Sequence, residues 1–147
     1  MTNRSTIASA GRLILTNNRD LVLRTVPRPH DINSNGHIFG GWVLSQMDIA
    51  GGIMARRIAE GPVATVAIES MQFISPILMG DIISLYAHEI RRGRTSVTIH
   101  IEVEAARGIE EQVIAVTNGV FSFVALDENH RPRPLPVTGD QSSARTA

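Results

Sequence analysis

One stretch of this chain, residues 40–59, is patterned as a long helix, while nearly every other patterned stretch alternates like a strand. The helical stretch opens on Gly40-Gly41 and is stopped by Gly61-Pro62. Its apolar surface comes from Trp42, Val43, Met47, Ala50, Met54 and Ile58. A single long helix among strands leaves few ways to build a core. The arrangement that buries both apolar faces is a curved antiparallel sheet wrapped over the helix, an α+β fold.

The strands are expected at residues 19–27, ending at Pro27 and Pro29, and at 63–74, 81–90, 95–104 and 113–126. The cleanest period-two pattern lies in 95–104. There Val97, Ile99, Ile101 and Val103 share one face, and Ser96, Thr98, His100, Glu102 and Glu104 share the other. Within 113–126, Asn118-Gly119 is a hairpin signal in isolation. A hairpin would leave two short strands without partners, so one strand carrying a bulge is the preferred reading. The 147 residues suit one domain, expected over 18–127. Residues 1–17 are read as an N-terminal segment and 128–147 as a flexible tail, whose three prolines fit an extended solvated chain better than a recognition motif.

The helix also carries an acid, Asp48. At about 3.6 residues per turn, Leu44, Gly51 and Ala55 fall on one side of it and Gly41, Ser45 and Gly52 on the other, all within about 60°. These neighbours are small or apolar, which puts the carboxylate at the edge of a buried face. Two readings compete. Asp48 either accepts a backbone hydrogen bond and orders a helix contact, or serves as a general base or nucleophile in a low-dielectric site. Gly51 and Gly52 cost helix stability and suggest close approach by a backbone or a ligand. Gly40 and Gly41 place first-turn amides, which lack intrahelical acceptors, where an oxyanion can reach them.

Fourteen basic residues balance fourteen acidic ones, so no global field recruits nucleic acid or an anionic membrane. With 43% hydrophobic but only 19% charged residues, a surface partly covered by a second copy of the chain is expected. The absence of cysteine excludes disulfides, thiolate metal sites and cysteine nucleophiles. No apolar run is long enough for a signal peptide or a membrane span, and a soluble cytoplasmic protein is expected. The histidines at 30, 37, 88, 100 and 130 are scattered without a ligand motif, so no metal is expected. Serine-hydrolase elbows and nucleotide-binding glycine loops are missing too. One basic cluster remains, Arg91-Arg92-Gly93-Arg94-Thr95-Ser96, at a predicted turn. It is either a solvated turn or a phosphate cradle.

The segment FGGWVLSQMD at 39–48 resembles the hotdog-fold acyl-CoA thioesterases, most closely the bacterial YciA-type branch. So do Asp31-Ile32-Asn33-Ser34-Asn35-Gly36 before it, VAIESMQFISPILMGD at 66–81 and GRTSVTIHIEVE at 93–104. This resemblance implies a helix wrapped by a sheet, with two protomers joined sheet edge to sheet edge and sites at the interface. It further implies that Asp48 attacks the thioester carbonyl or activates a water, while an amide near Gly41, beside Gly40, polarises the carbonyl oxygen. An asparagine from the preceding loop, Asn33 rather than Asn35, would join them from across the interface. Asp48 and Gly41 would then come from one helix, and Asn33 from the neighbouring chain. Arg92, Gly93, Arg94, Thr95 and Ser96 would hold the coenzyme A moiety. Met54, Met71 and Phe73 would set the depth of the acyl tunnel. Many relatives have histidine where this chain has Phe39, but the YciA-type branch resembles it in carrying phenylalanine.

The expected activity is hydrolysis of acyl-CoA to a free acid and CoA, with no cofactor beyond the CoA of substrate and product. The expected assembly is a homodimer at least, extending to a tetramer or hexamer. Two other readings stay open: an enoyl-CoA hydratase or dehydratase of the same fold, for which His37 is the available histidine, and a non-catalytic acyl-CoA binder.

Overall fold

The structure is a computed structural model, and it describes residues 19–137. The elements run β1 (Asp20–Thr25), a 3-10 turn (Pro29–Asp31), α1 (Gly40–Ala59), β2 (Val63–Phe73), β3 (Ile82–Arg92), β4 (Ser96–Arg107) and β5 (Gln112–Ala125). The strands form one antiparallel sheet in the order β1-β3-β4-β5-β2, and α1 packs across one face. That order leaves β1 and β2 as the two edges. Among the described residues no helix is long and apolar enough to cross a membrane.

The alternation in β4 places Val97, Ile99, Ile101 and Val103 in the core, with at most 1% exposure. Ile83, Leu85 and Ala87 of β3 and Phe121 and Phe123 of β5 continue the same layer. Against it α1 turns Met47, Ala50, Met54 and Ala55. Gly51 sets the spacing. A Cβ there would lie 2.7 Å from the Phe123 ring and 2.8 Å from Ile101 Cδ1, so the expected close approach is to the sheet's own side chains. Gly52 is different, with Phe123 3.9 Å from the position of a Cβ. Gly119 works from the other side. A Cβ on it would meet the Met71 sulfur at 2.9 Å and Met47 Cε at 3.1 Å, so this glycine makes room for two methionines.

Strand β5 runs unbroken through Asn118-Gly119, as the bulged-strand reading expects. Val103 pairs with Thr117 but Glu104 pairs with Ala115, which leaves Val116 as the extra residue. The Val116 carbonyl accepts hydrogen bonds from Ile74 N at 2.8 Å and Ser75 N at 3.2 Å, fixing the exit of β2. The helix ends at Ala59 with Glu60 in the left-handed region, φ 54°, one residue before the glycine.

The segment after residue 127 departs from the expected tail over its described part. Arg133 N donates to Ala125 O at 2.9 Å, and Leu135 N donates to Arg94 O at 2.8 Å. The Arg133 guanidinium donates to Ala59 O at 2.7 Å, capping the helix. Leu135 packs on the core. Proline-rich composition suggested fraying, but backbone and guanidinium donors bind this strip to carbonyls that the end of the domain leaves open. Residues 1–17, and the part of the expected tail beyond 137, lie outside the described residues.

The β2–β3 turn is held by Asp81, 1% exposed. Its carboxylate accepts from Arg107 Nε at 2.9 Å, Arg107 Nη2 at 2.7 Å and Leu78 N at 2.9 Å. Burial by itself raises the Asp81 pKa. The hydrogen bonds from Arg107 and Leu78 and the guanidinium charge outweigh it, and the net direction is downward from the ordinary 3.8.

Gly51→Ala is expected to lower unfolding free energy by about 1–3 kcal/mol through overpacking, despite the helix preference of alanine. Gly52→Ala, which has room, should raise it by up to about 1 kcal/mol, both read from denaturant midpoints. Because folding lowers the Asp81 pKa, its contribution is complete above the ordinary carboxylate range and is lost as pH falls through the folded value. Asp81→Asn should therefore destabilise at pH 7 by about 1–3 kcal/mol, removing the charge partner of the part-exposed Arg107 and a buried acceptor of Leu78 N. The variant should also show a shallower loss of melting temperature below pH 4 than the parent.

Candidate active site at the helix N-terminus and the β2 edge

The approach to α1 is built by Asn33. Its Oδ1 accepts from the backbone N of Asn35 at 2.8 Å and of His37 at 3.1 Å, while Gly36 turns the chain at φ 79°. These bonds order the turn and occupy only the side-chain oxygen of Asn33. Among the described residues the Asn33 Nδ2 donor has no partner, and Asn33 lines a cavity under the first turn of α1. Asn35 has no such position.

Phe39, at the N-cap, offers no side-chain acceptor. Its carbonyl takes Trp42 N at 3.1 Å and Val43 N at 3.4 Å, so the amides of Gly40 and Gly41 remain without acceptors among the described residues. Gly40 lies against the Phe73 ring, which would be 3.5 Å from a Cβ there, whereas among the described residues nothing stands within 4 Å of one on Gly41. Gly41 therefore presents an open, donor-rich helix terminus. Of the three expected tunnel residues, Phe73 is exposed at this rim, Met54 is buried, and Met71 is half-buried over Gly119.

Asp48 stands elsewhere. In the isolated protomer it is exposed, not set at the edge of a buried face, because the helix stripe that meets the sheet runs through Met47, Ala50, Gly51 and Met54. Its Oδ1 accepts from Thr65 Oγ1 at 2.6 Å, a side-chain partner in place of the backbone contact considered above. Thr65, on edge strand β2, was missed from the sequence, where it reads as one more β-branched residue. Asp48 and Gly41 share a helix but do not share a target. Seven residues at about 1.5 Å rise separate them by roughly 10 Å, too far for both to touch one carbonyl. Asn33 and Gly40 line one cavity, with Gly41 next along the same turn, and the acid with Thr65 forms a separate pair.

The arginine cluster resolves into different roles. Arg91 Nη2 donates to both Glu69 oxygens at 2.8 and 2.9 Å. Arg92 forms a fork on Glu89 at 2.6 and 2.8 Å, and the hydrogen bond from it to Glu89 raises its pKa further. Gly93 N donates to Ser96 O at 2.8 Å, a Cβ on Gly93 would strike Ser96 Oγ at 2.9 Å, and Thr95 O accepts from Ala125 N at 2.9 Å. Gly93, Thr95 and Ser96 therefore shape the turn. Among the described residues Arg94 is the one of the three arginines without an ion partner. The turn projects from the same end of the sheet as Thr65, since Thr65 pairs with Phe123 and Phe123 with Val97.

The structure also joins groups that linear spacing keeps apart. His88 and His100 face each other across β3 and β4, with ring centroids 5.1 Å apart, and Glu102 lies 3.6 Å from His100 Nδ1. Together the three present ligand-type atoms within 4.8 Å of one another. The other Glu102 oxygen is held by Arg19 at 2.6 Å, which makes this patch on the far face of the sheet a network of paired charges. Burial, then His100, lowers the His88 pKa, and Arg19 adds to that against the opposing pull of Glu102.

Residues 35–111, from the Asn33 loop through β4 and the turn that follows it, match the family model described as the Thioesterase superfamily. The chain belongs to the thioesterase superfamily. The acyl-CoA thioester hydrolase YciA of Salmonella typhimurium is 47% identical over 123 residues, covering 82% of this chain and 92% of that protein. A hexameric broad-specificity acyl-coenzyme A thioesterase, solved as an aspartate-to-alanine mutant, is 44% identical. It covers 86% of this chain and 93% of its own, with a TM-score of 0.78. A hexameric hotdog-fold thioesterase of Campylobacter jejuni is 33% identical at a TM-score of 0.76, covering 86% and 95%. This thioesterase-superfamily chain thus has the hotdog fold expected from its sequence, a central helix wrapped by a curved antiparallel sheet.

Proposed function

We propose that this chain hydrolyses acyl-CoA thioesters to a carboxylic acid and CoA, in a site completed by a second copy of itself. The observation that carries this reading is the separation of Asp48 from the free helix amides, together with an open β2 edge. Val66 and Ile68 are exposed along β2, and Ile49 is exposed on α1. An unpaired, partly apolar edge calls for a partner strand.

Pairing β2 with its copy about a two-fold axis near Ile68 gives an antiparallel ladder in which Thr65 lies opposite Met71 of the partner subunit. The Asp48–Thr65 pair then sits beside the partner's Phe73, and Phe73 is the residue packed on Gly40. Acid and oxyanion donor thus come from different subunits. Asn33 and the Gly41 amide belong to one, and Asp48 belongs to the other. This revises the division expected from the family resemblance, which drew Asp48 and Gly41 from one helix. Hexamers are the state named for the related thioesterases above, which is compatible with a site shared between two copies.

The chemistry needs little apparatus. A thioester carbonyl has less resonance stabilisation than an amide, so one carboxylate and one oxyanion donor suffice. Thr65 fixes one oxygen of Asp48 and leaves the other to attack the carbonyl or to take a proton from the attacking water. The Gly41 amide faces the carbonyl oxygen where charge develops, and Asn33 Nδ2 is a second available donor. The thiolate of CoA leaves and is protonated, and water is the only co-reactant. Arg94, the arginine of this turn without an ion partner among the described residues, meets the CoA phosphates, with Gly93, Thr95 and Ser96 shaping its turn and Arg92 committed to Glu89.

Thiol release from acyl-CoA is expected to fall at least about a hundredfold in Asp48→Asn, and unchanged turnover would remove Asp48 from the chemistry. Gly41→Pro deletes the amide donor at a first-turn position that accepts proline. Refolding a mixture of the two inactive variants should restore about one-quarter of parental activity. Half the two-fold dimers are then mixed, and one site in each is intact. No recovery would mean that acid and donor act within one chain. Arg94→Ala should raise KM for acyl-CoA with little change in kcat, and should leave a short N-acetylcysteamine thioester, which has no phosphates, unaffected.

A further inference from the structure

Thr117 bears a cost that the fold does not repay. It lies on β5 opposite Phe73 and Val103, in phase with the core-facing Phe121 and Phe123, and is 2% exposed. Its Oγ1 is buried without a hydrogen-bond partner among the described residues. A buried hydroxyl left unpaired is destabilising, and a valine of nearly the same shape would avoid the loss. Unpaired buried polar groups are rare in folded proteins and point to something that binds them.

The position of Thr117 indicates what that is. It lines the cavity of about 320 Å³ beneath the first turn of α1, together with Asn33, Gly40 and Phe73. Ile38, Val43 and Ile77, each at most 5% exposed, give the same cavity apolar walls. The cavity therefore combines apolar walls with the polar side chains of Asn33, His37 and Ser75 and adjoins the open first turn of the helix, and Thr117 carries the fully buried hydroxyl on its wall. The bulge at Val116 adjoins it, and the Val116 carbonyl already accepts from Ile74 N and Ser75 N.

We propose that this cavity receives the acyl chain and that Thr117 selects acyl groups carrying an oxygen substituent, hydroxyacyl thioesters first among them. The inference rests on the thioesterase reading above and adds its substrate class. A hydroxyl on the acyl chain gives Thr117 the partner that the protein withholds. A plain hydrocarbon chain of the same length leaves it unpaired, and a site built around a polar group discriminates against the analogue that lacks the matching one.

The test compares kcat/KM for 3-hydroxybutyryl-CoA and butyryl-CoA in the parent, Thr117→Val and Thr117→Ser, with melting temperatures for all three. Thr117→Val is expected to melt at or above the parent while the hydroxybutyryl-to-butyryl ratio falls about tenfold. Thr117→Ser, which keeps the hydroxyl, should hold the parental ratio. Butyryl-CoA hydrolysis with a ratio unchanged in Thr117→Val overturns the proposal alone. So does an equal loss on both substrates, which would mean that the hydroxyl serves a water or the common chemistry. Hydrolysis of neither ester by the parent overturns the thioesterase reading, and the proposal falls with it.

Discussion

The closeness of α1 to the sheet governs the rest of the molecule. It rests on missing side-chain atoms, since the space that a Cβ on Gly51 would fill is occupied by Phe123 and Ile101. Ala50, Ala55 and Ala59, all fully buried, keep the neighbouring turns equally close. Gly119 lets Met47 and Met71 settle over β5. Held this near, the helix begins against Phe73, and its first-turn amides open beside the Asn33 loop. Interiors pack at nearly crystalline density, so a single added methyl in this seam has no free volume to enter.

A second constraint comes from the sheet order. With β1 and β2 at the edges, β2 exposes backbone donors and acceptors as well as Val66 and Ile68 on the side away from β5. The groups suited to thioester chemistry straddle that edge. Asp48 and Thr65 lie near the start of β2, and Phe73, Gly40 and Asn33 lie near its end. A helix rising about 1.5 Å per residue cannot bring its own residues 41 and 48 together, but antiparallel pairing of two edges can. The proposed need for a partner is in this sense a consequence of helix geometry.

Much of this was legible beforehand because it is periodic or local. The bounds of α1, the buried face of β4 and the preference for a bulged β5 over a hairpin all follow from repeat patterns and turn chemistry. What misled were features whose partners lie far along the chain. Gly51 suggested close approach by a backbone or a ligand and proved to be a contact with the Phe123 and Ile101 side chains. The basic turn offered three equivalent arginines until Glu69 and Glu89 engaged two of them. Proline-rich residues after 127 resembled loose chain, yet Arg133 reaches back 74 positions to the last helical carbonyl. Thr65 and Thr117 carried no signal, since threonine suits any strand.

The sequence by itself determined the α+β class, the one long helix, the strand faces and the presence of an acid, two adjacent glycines and a basic turn. These depend on neighbours within a few residues, and local sterics and burial periodicity suffice to read them. Only the tertiary structure decided that Asp48 pairs with Thr65, that Arg94 is the arginine left free, that His88, His100 and Glu102 meet on the far face, and that Thr117 sits unpaired beside the helix terminus. Each of those depends on strand register. One residue of slip carries a side chain to the opposite face of a sheet, and that register is settled by the packing of the whole domain.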